Sequence, residues 1–289
     1  MKARPVPCSP SLLVVRTRHA LDLQRARIES ALAQPDGTSV HDIRVALRRT
    51  AALSRVSKGI PANRAGNALA KEAREIRKLL TERRTREVLV ARLKERFAED
   101  GRRHALALGA ARKLEAGAGT DPGPADSQFE RSVARLRRCF ETRDRELGAL
   151  LSSGKWATAA DRALRRRASR RIGRLVRRLA EMGVPDRRTL HPFRIAAKRL
   201  RYALELLEES VPGATPLLRE LRHFQELSGD AHDRIELVHA VRHAASGVLA
   251  FRELLGPLEL DARRAVRTST GLASTLLRRL EAVSATLPT

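Results

Sequence analysis

His41, Arg44, Arg48 and Arg49 recur 150 residues further on as His191, Arg194, Lys198 and Arg199. The matching stretches are Pro35 to Arg49 and Pro185 to Arg199, and six of their fifteen positions are identical. Three cations and an imidazole at this spacing can hold an anion with several oxygens. Arginine offers a planar fork to phosphate or carboxylate, and histidine adds a donor whose charge follows pH. The repetition separates positioned histidines from accidental ones. For His41 and His191 two readings stand: contact with the anion, or a neutral imidazole that spaces two helices.

A helical wheel at about 100° per residue places the cations. In the first repeat Val40, Ile43, Ala46, Leu47, Thr50 and Leu53 gather on one face, with His41, Arg44 and Arg48 beside it. In the second, Leu190, Phe193, Ala197, Leu200 and Leu204 pack, while His191, Arg194, Lys198 and Arg201 flank them. Arg49 and Arg199 point farther from the core. The basic rows therefore run along the shoulders of packed helices, where a cation is held in place and partly desolvated. A further stripe, Arg167, Arg170, Arg174 and Arg177, lies in a stretch with nine arginines between positions 162 and 178. It reads either as a solvated face or as a path for a linear anion.

The totals point the same way. Against 58 Lys and Arg stand 33 Asp and Glu, a net charge of +25 over 289 residues. Such an excess calls for a polyanionic partner. Aromatic residues make up 3%, with one Trp and one Tyr, so the chain lacks the stacking platforms of single-strand nucleic-acid binders. Cys8 and Cys139 are too few for a disulfide framework or a metal-ligand set. The doublets His41-Asp42 and His232-Asp233 suit helical metal phosphohydrolases, but the position matching Asp42 is Pro192. No metal, cofactor or catalytic residue is expected, and the chain reads as soluble, intracellular and non-enzymatic.

Nearly every segment has a helical period, and none alternates as a strand does. Helices are expected near 11–33, 39–58, 62–80, 83–113, 128–151, 157–182, 189–210, 215–227, 231–247 and 251–286. Pro35-Asp-Gly, Gly59-Ile-Pro61, Gly183-Val-Pro185 and Pro212-Gly213 break them, and Ser39 and Thr189 are candidate N-caps. The low-complexity stretch 116–127 divides the chain into halves of about 11–115 and 128–289, behind a tail at 1–10. The expected fold is all-α, in two helical halves whose duplicated rows face each other across a pseudo-two-fold axis and line one basic groove.

His41-x-x-Arg44-Val-Ala-Leu-Arg48-Arg49 and His191-x-x-Arg194-Ile-Ala-Ala-Lys198-Arg199-Leu-Arg201-Tyr202 resemble the paired signatures of the CHAD domain, the conserved histidine α-helical domain. A third block, Phe224-Gln225-Glu-Leu227-Ser-Gly229-Asp230-Ala-His-Asp233, resembles that family's Gln-x-x-Leu-Gly-Asp-x-x-Asp helix turn. The first-half counterpart, Thr81-Glu-Arg-Arg84-Thr85, keeps the Arg of Gly-x-x-Arg-Asp but not its Gly or Asp. The resemblance spans about 11–285. It implies two antiparallel helical bundles related by an internal pseudo-two-fold axis, with a basic central channel for inorganic polyphosphate between them, and association with bacterial polyphosphate granules in the cytoplasm. Carried over by position, the implied ligands are His41, Arg44, Arg48 and Arg49, with His191, Arg194, Lys198, Arg199 and Arg201. Arg167, Arg170 and Arg174 join them from the arginine stripe. The alternatives are a nucleic-acid binder using the same rows and, less favoured, a metal-dependent phosphohydrolase.

Overall fold

A computed structural model describes residues 12–33, 37–57, 64–116, 124–208 and 214–284. These form ten α-helices and one 3-10 turn, and no strand occurs among them. The helices are α1 (Leu12–Ala33), α2 (Gly37–Val56), α3 (Arg64–Leu79), α4 (Thr81–Arg96) and α5 (Gly101–Ala116). They continue with α6 (Pro124–Ser152), α7 (Gly154–Met182), α8 (Leu190–Leu207), α9 (Ala214–Ala245) and α10 (Leu255–Ser284), the last preceded by the 3-10 turn Leu249–Leu254. None of them is long and apolar enough to cross a membrane.

Packing closes two rings of four. In one, α1 packs on α2, α2 on α3, α3 on α6 and α6 on α1; in the other, α7 packs on α8, α8 on α9, α9 on α10 and α10 on α7. The rings meet directly, with α2 on α8 and α1 on α7, and one apolar core runs through both. The helix α6, which the sequence reading places at the head of the second half, thus packs on α1 and α3. Its amphipathic face, with Val133, Leu136, Phe140 and Leu147 buried, completes the first ring. The pair α4 and α5 packs on the C-terminal part of α9 around a smaller core that includes Leu93, Phe97, Leu237 and Val241.

Several helix ends differ from the sequence expectation. The span 83–113 is two helices, because Phe97 is fully buried and Asp100 accepts a hydrogen bond from the Arg103 N–H at 3.2 Å, starting α5 afresh. The expected break between 227 and 231 does not occur; Gly229 lies inside the continuous α9. Helix α7 stops at Gly183, whose φ of 59° lies in the left-handed region. At α8 the capping group is Asp186, not the Thr189 side chain. The Asp186 carboxylate accepts from the Arg188 and Thr189 N–H groups at 2.9 and 2.8 Å, and the Thr189 hydroxyl donates to it at 2.7 Å. Pro192 follows in the first turn, where a missing N–H costs little. The breakers at 35–36, 59–61 and 212–213, most of the connector 116–127, and the side chains of Ser39 and of Thr81 to Thr85 lie outside the described residues.

Candidate anion-binding site

The contact of α2 with α8 brings the two repeats together. Arg48 of α2 stands near Arg194 and Lys198 of α8, close enough that its charge pushes both toward their neutral forms. Burial acts more strongly still. It is the main reason that Lys198 is pushed down to about 6, with Arg194, Arg48 and Arg201 adding to it and Asp233 of α9 opposing. Arg194 is also held below the ordinary guanidinium value, first by burial and then by Arg48, against the pull of Asp233. Its Nε is buried without a hydrogen-bond partner.

The Arg194 guanidinium lies against the backbone of α9 at Gly229. A Cβ there would stand 2.9 Å from Arg194 Nη2, so the glycine inside this helix admits the arginine. One turn along, the His191 ring meets that of His232, with centroids 4.5 Å apart at 41°. Partial burial lowers both imidazoles, with Arg194 and Lys198 acting on His191, and His191 and Arg194 on His232. Beneath them Phe193 meets Phe224 edge-on at 5.4 Å and 74°, locking α8 to α9.

From Arg48 the cations continue along the ring junction. Arg77 of α3 is pushed down by burial and then by Arg48, Arg74 and Arg199. Arg55, one helical stripe along from Arg48 on α2, is lowered by burial and by Arg74, Arg199 and Arg171. Arg171 of α7 is lowered by burial and by Arg199, Arg174 and Arg167. Four helices, α2, α3, α7 and α8, thus contribute to one continuous row. Arg48, Arg55, Arg171, Lys198 and Arg199 make no ion pair with any described carboxylate.

Arg55, Arg74, Arg77 and Arg171 are absent from the residues singled out in the sequence. Arg55 was legible, since it continues the spacing of His41, Arg44 and Arg48 by seven. Arg171 was legible too. It lies about 40° from Arg167 toward the buried face of Ala168, Ile172 and Leu175, whereas Arg170 lies about 60° the other way. Arg170 is accordingly exposed, and its Nε donates to the Arg166 carbonyl at 3.3 Å. Arg74 and Arg77 carried no signal, because α3 lies outside the repeat.

Other expected ligands have further partners. Arg44 donates from Nη1 to the Leu80 carbonyl at 2.8 Å, capping the end of α3. Arg49 and Arg201 both lean on Glu205 of α8, at 3.8 and 3.7 Å, where Arg222 of α9 also approaches at 4.0 Å. The Arg201 guanidinium carbon lies 4.9 Å from the Tyr202 ring centroid. His41 is exposed on the opening turns of α2. Asp230 and Asp233 bind Arg92 of α4 at 2.5 and 3.3 Å, and Asp230 also takes Arg234 at 2.7 Å, so this acidic pair fastens α4 to α9. Among the described residues no three His, Cys, Asp or Glu side chains gather as a metal site.

Desolvated cations in a row, short of carboxylates, destabilise one another until an anion arrives. Chemically, the site can neutralise several negative groups at once. A family model described as the CHAD domain matches residues 16–242. The fold is similar to that in the crystal structure of the CHAD domain from the plant Ricinus communis. The TM-score is 0.58 at 20% identity, covering 100% of this chain and 97% of that one. At that identity the likeness is one of fold. No curated protein matches the sequence.

Proposed function

Because the chain belongs to the CHAD domain family, we propose that it binds inorganic polyphosphate along the row of cations at the junction of the two rings. The observation that carries this reading is the run of half-buried arginines and Lys198 across α2, α3, α7 and α8, with burial and mutual repulsion lowering their basicity. Arg48, Arg194, Lys198, Arg199 and Arg201 form its centre. Arg167 and Arg174, with Arg55, Arg74, Arg77 and Arg171, extend it along α7 and α3, and His41, Arg44 and His191 stand toward the other end. Arg49 and Arg170 fall outside the set. The chain is a binding module that performs no covalent step, and its affinity for long chains places it on cytoplasmic polyphosphate granules.

Arg48→Glu combined with Arg199→Glu tests this. Both side chains reach solvent, so helicity by circular dichroism is retained. Calorimetric titration with polyphosphate of defined length, beside tripolyphosphate and RNA, should show loss of long-chain binding in the variant. Equal affinity of wild type and variant would overturn the site. Tighter binding of RNA than of polyphosphate at matched phosphate concentration would favour a nucleic-acid partner instead, which the charge of +25 alone would permit.

A further inference from the structure

Of the 58 basic side chains in the sequence, fifty are arginine and eight are lysine. One of those eight stands at the centre of the cationic row. The position that answers Lys198 in the first repeat is Arg48, so the same place on the shoulder holds a guanidinium on α2 and a primary amine on α8. As ligands for phosphate the two carry the same charge, and arginine brings the better fork. What lysine alone offers is an amine that can lose its proton and act as a nucleophile.

The surroundings of Lys198 favour that form. Arg194, Arg48 and Arg201 crowd a partly buried side chain, with Asp233 opposing them. Lys198 makes no ion pair with a described carboxylate, whereas Lys78 is held by Glu75 at 3.3 Å and Lys94 by Glu115 at 3.1 Å. Nor is its Nζ among the polar atoms sealed from solvent. With a pKa of about 6, the amine is mostly uncharged at neutral pH. A free amine flanked by three guanidiniums is placed to meet an electrophile that arrives on a phosphate.

We propose that Lys198 is a modification site for acyl phosphates, the arginines of the row holding the phosphate while the amine attacks the acyl carbon. The proposal rests on the capture of phosphate by the row, as polyphosphate binding does. In the step the nitrogen lone pair forms a C–N bond to the carbonyl carbon, and the bond from that carbon to the bridging oxygen breaks. The phosphate leaves with that electron pair and takes up the proton of the amine, giving an amide and hydrogen phosphate. Arg48 and Arg194 favour the charge that gathers on the departing phosphate. Acylated Lys198 can no longer become a cation, so modification turns polyphosphate binding down. The chain is altered once and turns nothing over, which leaves it a binding module.

The full chain is incubated with acetyl phosphate and mapped by peptide mass spectrometry, with polyphosphate binding read by calorimetry before and after. Lys198 should be acetylated about tenfold or more faster than the exposed Lys71 and Lys155. Excess tripolyphosphate should abolish that preference. The modified chain should bind polyphosphate about tenfold more weakly, and the same treatment of Lys198→Arg should leave its affinity where it began. Acetylation of Lys198 no faster than of Lys71 and Lys155 would overturn the inference. So would a preference that survives tripolyphosphate, or a phosphoryl group in place of the acetyl. Polyphosphate binding by the untreated chain beside an unmodified Lys198 would refute this inference alone. Absence of polyphosphate binding would refute the reading of the row, and this inference with it.

Discussion

Lys198 shows what the site costs at the scale of one residue. Burial is the largest cause of its depressed pKa of about 6; Arg194 and Arg201 from its own helix and Arg48 from α2 add to that, and Asp233 from α9 restrains it. The unfolded chain holds this proton up to the ordinary 10.5, so between the two values the unfolded state binds more protons than the folded one. Stability therefore rises with pH across that window and is lost as pH falls toward 6, by at most about 1.4 kcal/mol per unit. The depressed His191 and His232 act in the same direction below the ordinary imidazole range. Tm of the protein without polyphosphate should climb between pH 6 and 9, and Lys198→Met should flatten the climb. A bound polyanion reverses the balance by favouring the ammonium. Calorimetry near pH 7.5 in buffers of different ionisation heat should then show net proton uptake on polyphosphate binding, absent in Lys198→Met.

Between α8 and α9 the arrangement depends on one missing side chain. A glycine inside a helix ordinarily costs about 1 kcal/mol relative to alanine, so Gly229→Ala should stabilise α9. Here the added Cβ meets Arg194 Nη2 at 2.9 Å, and the guanidinium must move off the helix. The expected outcome is a Tm within a few degrees of wild type with polyphosphate affinity reduced about three- to tenfold, read by thermal melts and calorimetry. Loss of Tm with intact binding would mean that Arg194 needs no such seat. In the sequence this glycine reads as a helix break, because glycine is a breaker by propensity and its packing role needs a neighbour 35 positions away. The same limit explains α6. Its amphipathic pattern announced a helix, but nothing local says which ring it closes. The shoulder positions of Arg48, Arg194 and Lys198, by contrast, were legible, because the wheel and the repeat both fix them relative to the buried face. Asp186 repeats Asp36 and could have been read as the cap. Thr189 reads as the cap by pattern alone, because it directly precedes the periodic residues.

Over the whole molecule, the two rings matter because their junction is long. The cations extend from Arg194 and Lys198 at the α8–α9 seam, past Arg48 and Arg77, to Arg55, Arg171 and Arg174 on α2 and α7. A short anion reaches only part of this row, whereas a long chain can occupy all of it, so affinity should grow with length until the row is full. Replacing Arg55 and Arg171 together by alanine removes the α7 end without touching Arg194 or Lys198. Both guanidiniums are half-buried and repelled by their neighbours, so their removal should not lower Tm. Tripolyphosphate seated near Lys198 should bind as before, and long-chain polyphosphate about tenfold or more weakly. Fewer neutralised phosphates also release fewer counterions. By analogy with single-stranded nucleic acids, the slope of log K against log salt for long chains should become shallower by about 1.4 for the two lost contacts. An unchanged slope would confine binding to the α8–α9 seam and leave the arginines of α7 as a solvated face.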